Sequence, residues 1–90
     1  MSTKLPENKS FNDIRYEIDM TDSLISELLK KRFDLVKKIG KLKKQNGIKI
    51  TDKKREENVI KNVLKNAGSY KKEIEEVFRK VIIVSRRIER

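Results

Sequence analysis

The sequence predicts an all-α protein built from one long and two shorter helices. From Phe11 to Asn46 a seam recurs at an unbroken alternation of three and four residues, which is the spacing of one helix face. Two shorter runs repeat helical spacing, Val59, Ile60, Val63, Leu64, Ala67 and then Ile74, Val77, Phe78, Val81, Ile82, Ile88. The charge is concentrated in Lys, Arg and Glu beside one Pro and three Gly, a composition that suits helices and leaves little for turns and sheets.

Met1 to Lys9, with Pro6 among mixed polar neighbours, has no periodicity and is expected to be a loose arm before a single domain over 10–90. Ser10 then stands as N-cap with Asp13 in the capping-box position. The seam that follows reads Phe11, Ile14, Ile18, Thr21, Ile25, Leu28, Arg32, Leu35, Ile39, Leu42, Asn46, and Lys43 adjoins it. At 1.5 Å per residue this helix would be roughly 54 Å long, wider than a compact domain of this size, so it is expected to pack on something outside its own chain. Gly40 inside it costs about 1 kcal/mol relative to Ala, which points to close backbone approach or to a tolerated weak spot. Asn46-Gly47 ends the helix.

Gly47 to Thr51 is a short connection, and Thr51 or Asp52 caps the second helix. Arg55 and Glu56 precede Val59 and Ile60 by four residues and so share their side one turn earlier. Ala67-Gly68 stops this helix, and Ser69 is the expected cap of the third. Ser85 falls on the third helix's inward stripe, with Glu89 one turn later. The chain has no repeat and no low-complexity tract.

With 42% charged and 36% hydrophobic residues, 90 residues are a poor candidate for folding alone, and an oligomer is expected. The formal charge of +10 calls for an anionic partner. Against nucleic acid, the basic residues are interleaved with Glu along the chain and aromatic residues are few, and a small polyanionic substrate would be served equally well by such a field. Without Cys or His there is no thiolate nucleophile, no imidazole base and no usual zinc site, which leaves carboxylates, amines, hydroxyls and guanidinium groups. No apolar leader is present and the longest apolar run, Val81 to Val84, cannot span a bilayer, so the expected location is the cytoplasm, with no membrane partner.

Each inward polar residue has a plain structural reading. Arg32 could set a coiled-coil register, Lys43 could snorkel, Arg55 and Glu56 could be a helix-start charge pair, and Ser85 could bond its own backbone. Together they would bury more cations than carboxylates, and a bound dianion would resolve that imbalance. Arg32 and Lys43 are separated by about 16 Å of helical rise, within converging reach of long side chains. Arg15 is roughly 25 Å from Arg32 and cannot join them within its own chain. An antiparallel second copy could bring its Arg15 there.

These residues carry a resemblance. Ile14-Arg15, Ile18-Asp19, Asp22, Leu24 to Leu29, Arg32, Gly40-x-x-Lys43 and then Asp52-x-x-Arg55-Glu56 are similar to the pattern of the small all-helical chorismate mutases, over about Phe11 to Ser85. The resemblance implies an intertwined homodimer of three-helix chains, each site converting chorismate to prephenate on the way to phenylalanine and tyrosine. It implies that Arg32 and the other copy's Arg15 clamp the two substrate carboxylates, and that Lys43 reaches a carboxylate and the ether oxygen. Glu56 and the Asp52 backbone would hold the ring hydroxyl, with Arg55 and Ser85 completing the wall.

A Claisen rearrangement is a unimolecular pericyclic shift, so no cofactor, metal or nucleophile is implied. One position departs from the pattern. Where many members place a Gln that donates to the ether oxygen, this chain has Glu89. An ionised carboxylate cannot donate, so Glu89 either acts as the neutral acid, points away, or frays near the chain end. If it acts as the acid, activity should rise toward acidic pH. Two other readings remain at the level of sequence: an isochorismate pyruvate lyase on the same scaffold, and a non-enzymatic basic helical dimer that binds nucleic acid or protein. A domain for allosteric control is not evident in the chain.

Overall fold

The structure is a computed structural model that describes residues 10–90; the arm expected over 1–9 lies outside them. Three helices follow in order, α1 (Phe11–Gln45), α2 (Lys53–Leu64) and α3 (Lys71–Glu89), and the described residues contain no strand. The chain divides into two compact units at Arg32 and Phe33, so α1 contributes to both.

In the first unit, α1 opens with the predicted capping box. The Asp13 amide donates to Ser10 Oγ at 3.1 Å and the Ser10 amide donates back to Asp13 Oδ2 at 3.3 Å, which satisfies two amides that the helix start would otherwise leave open. The apolar seam of this unit is uncovered: Phe11 is 78% exposed and Ile14, the most sheltered apolar residue on that seam, still 48%. Among the described residues of the unit only Leu29 and Arg32 are half-buried.

In the second unit, α1 ends in a Schellman turn. Ile48 donates to the Lys43 carbonyl at 2.7 Å, Gly47 donates to Lys44 at 3.3 Å, and Gly47 takes the left-handed φ of 66° that the motif needs. Of the two caps considered for α2 the structure uses Asp52, whose Oδ1 accepts the Arg55 amide at 3.0 Å. Gly68, at φ 59°, turns the chain after α2.

Two expectations about α3 are corrected. Ser69 is not its cap; Tyr70 holds that place without a side-chain bond, and the Ile74 amide is satisfied instead by the Tyr70 carbonyl at 2.8 Å. Val77 is exposed rather than inward, because the buried face of α3 runs through Ile74, Phe78, Val81, Ile82 and Ser85, and Val77 lies at its margin. The buried apolar residues of this unit are Ile60, Ala67, Val81 and Ile82, a thin core between α2 and α3. At its edge Arg79 bridges Glu57 of α2 at 2.8 Å and Glu75 of its own helix at 3.0 Å.

Gly40, the one buried residue of α1, explains itself. A Cβ built there would stand 2.5 Å from the Glu89 carbonyl oxygen and 2.8 Å from Glu89 Cα, so the α3 backbone approaches closer than any side chain on α1 would allow. Of the two sequence-level readings of this glycine, close approach is the one observed.

Candidate active site

The second unit gathers charged side chains around the end of α3. Lys43, in the last turn of α1, donates to Glu89 Oε1 at 2.6 Å and to the Ile50 carbonyl at 2.9 Å. Its side chain is 19% exposed and that of Glu89 12%, so this ion pair is shielded from water and held by the Gly40 contact beneath it. Lys44 adds a bond to the Arg90 carbonyl. Glu89 is therefore not frayed. It is ordered by α1.

One turn earlier on α3 the polarity is reversed. Arg86 forks onto Glu56 of α2, with Nε to Oε2 at 2.8 Å and Nη2 to Oε1 at 2.6 Å. The hydrogen bonds from Arg86 hold the Glu56 carboxyl below the usual carboxylate range, reinforced by the charges of Arg86 and Lys53 and opposed by partial burial and by Asp52. Glu56 correspondingly raises the Arg86 guanidinium. Sequence reasoning placed Glu56 but missed Arg86. Its position directly after Ser85, on the same inward-facing turn, was the available signal.

Ser85 is buried and donates to the Val81 carbonyl at 2.7 Å, as its backbone-bonding reading expected. Asp52 is occupied as a helix cap, and the Arg55 side chain is exposed. The structure thus brings Lys43 to Glu89 within this unit and arranges Asp52, Arg55 and Glu56 on the first turn of α2. In the first unit, Arg15 is exposed with its guanidinium 5.3 Å from the centre of the Phe11 ring, and Arg32 is half-buried.

Among the described residues no group of acidic side chains is arranged to hold a metal ion, and no helix is long and apolar enough to cross a membrane. Residues 14–90 match the sequence model of chorismate mutase type II. The chain belongs to that family. The match includes the whole of α2 and α3, so the third helix with Ser85, Arg86 and Glu89 is part of the family domain. No curated protein and no solved structure matches the chain.

Proposed function

We propose that this protein is a chorismate mutase, converting chorismate to prephenate in a homodimer whose two sites each take one arginine from the other copy. The observation that carries the reading is the shielded Lys43 ammonium, fixed at the end of α1 by Glu89 and the Ile50 carbonyl, in a chain of the chorismate mutase type II family. The reaction requires a fixed cation in a water-poor setting. As the ether C–O bond breaks and the new C–C bond forms, negative charge grows on the ether oxygen, and a preorganised ammonium lowers that barrier without having to reorganise.

The remaining roles follow from substrate chemistry. Arg32 and the other copy's Arg15 bind the two carboxylates as bidentate forks and hold the enolpyruvyl side chain folded over the ring, which removes most of the entropic barrier to a unimolecular shift. Glu56 accepts the ring hydroxyl, assisted by the Asp52 backbone, while Arg55 and Ser85 complete the wall. Glu89 holds the Lys43 ammonium in place for the ether oxygen. The exposed α1 seam supports the dimer, since Phe11, Ile14, Ile18, Ile25 and Leu28 repeat along one helix face and all stand exposed, an apolar stripe that a second copy would cover. Residues 10–90 then work as one domain, in the cytoplasm and without a cofactor.

The deciding assay follows loss of chorismate absorbance and identifies the product. Prephenate supports the mutase; salicylate and pyruvate from isochorismate would make it a lyase; salt-sensitive nucleic-acid binding with no turnover would make it neither. Lys43→Ala should remain folded by circular dichroism and lose about 100-fold or more in kcat, the scale of one lost transition-state donor. Near-normal kcat in that folded variant refutes the role given to Lys43.

A further inference from the structure

Two residues at the end of α3, three positions apart, hold the two groups on which the mutase reading depends. Glu89 takes the Lys43 ammonium and Arg86 takes the Glu56 carboxylate. The first was expected to take part in the reaction; the second was assigned nothing. We propose that Arg86 is a positioning residue, which fixes the Glu56 carboxylate so that its remaining lone pairs meet the substrate's ring hydroxyl.

The geometry is specific enough to carry this. Arg86 presents Nε and Nη2 side by side, one to each Glu56 oxygen at 2.8 and 2.6 Å, a two-point contact that sets the plane of the carboxylate as well as its distance. A carboxylate has about four acceptor sites, so the fork uses one on each oxygen and leaves one on each for a hydroxyl donor. Glu56 is 17% exposed and Arg86 32%, so the pair is open on the Arg86 side and sheltered on the carboxylate side. Arg86 itself is placed by packing. Val81, Ile82 and Ser85 are buried, which sets the face that α3 turns inward just before Arg86. A lone Glu56 would be free to swing among rotamers, and its hydroxyl contact would be diluted by that freedom.

The inference rests on the mutase reading, because it needs Glu56 to touch substrate. A hydroxyl contact present in both ground and transition states is uniform binding, so its loss falls on KM more than on kcat. Chorismate kinetics of Arg86→Met should therefore show kcat/KM lowered about tenfold, mainly through KM. The double variant Glu56→Gln with Arg86→Met should be no worse than Glu56→Gln alone, since Arg86 acts through Glu56.

The pH profile gives a readout that mere structural damage would not move. Arg86 holds Glu56 low, with Lys53 helping and Asp52 opposing from α2; without Arg86 the Glu56 carboxyl rises toward its ordinary range. Only ionised Glu56 accepts the hydroxyl, so the acidic fall of kcat/KM should move to higher pH in Arg86→Met. Arg86→Lys keeps the charge and loses the fork, so it should leave that limb nearer the wild type while KM stays raised. It also carries the test if Arg86→Met unfolds. A wild-type chain that makes no prephenate overturns the mutase reading and this inference with it. An active wild type with Arg86→Met and Arg86→Lys within twofold of it, or with losses that multiply with that of Glu56→Gln, overturns the inference alone.

Discussion

At the scale of single residues, the most informative side chain is the one that breaks the family pattern. By the family resemblance Glu89 stands where a Gln would donate, yet it accepts from Lys43 at 2.6 Å. On the proposed reading that contact orients the ammonium that meets the ether oxygen, and a Gln in its place would still accept from Lys43 while adding an N–H donor. Glu89→Ala should therefore lower kcat about 10- to 100-fold, whereas Glu89→Gln should keep or raise it. Steady-state chorismate kinetics of the two variants check this. Near-normal kcat in a folded Glu89→Ala would show that Glu89 has no part in turnover.

At the scale of elements, the end of α3 is registered against α1 by a missing side chain. Gly40→Ala should gain about 0.5–1 kcal/mol in helix propensity, but its Cβ would enter the Glu89 backbone at 2.5 Å, and overpacking of that kind costs about 1–3 kcal/mol. A net loss of about 1–2 kcal/mol in denaturant unfolding is expected, together with reduced turnover, because the displaced α3 end carries Glu89 away from Lys43. Much of the element structure was legible beforehand. The Ser10–Asp13 box, the Gly47 turn and the Asp52 cap are all made by residues within five positions of each other, and all appear as read. Ser69 and Val77 were misread for a related reason. A capping residue and an apolar side chain fit several neighbouring registers equally well, and only the packing of α3 on α2 selects among them.

For the whole molecule, the decisive quantity is the apolar seam of α1. Its exposure in the single chain is the ground for proposing a partner, and the proposal that Arg15 crosses over is testable by mixing. Arg15→Ala and Lys43→Ala should each be inactive. After the two are unfolded and refolded together, half of the dimers are mixed, and each mixed dimer has one intact site, so about a quarter of wild-type activity should return. No recovery in dimers of confirmed mixed composition would place Arg15 and Lys43 of one site on the same chain. The basic charge is also less evenly spread than its interleaving with Glu implied. From Lys37 to Arg55 nine residues are Lys or Arg and one is acidic, a local positive field around Lys43 suited to drawing in a dianion.

What the sequence determined by itself was what short-range periodicity governs: three helices, both ends of α1, and membership of the chorismate mutase type II family. What only the tertiary structure decided was which charges meet. Glu89 reaches Lys43 across 46 residues and Arg86 reaches Glu56 across 30, and Gly40 is required by a backbone on another helix. The reason is physical. A helix turn is closed by neighbours in the chain, so its pattern is written locally, but the pairing of two helices depends on the rotation and rise at which their side chains interlock, and a shift of one residue would send every one of these charges to a different partner.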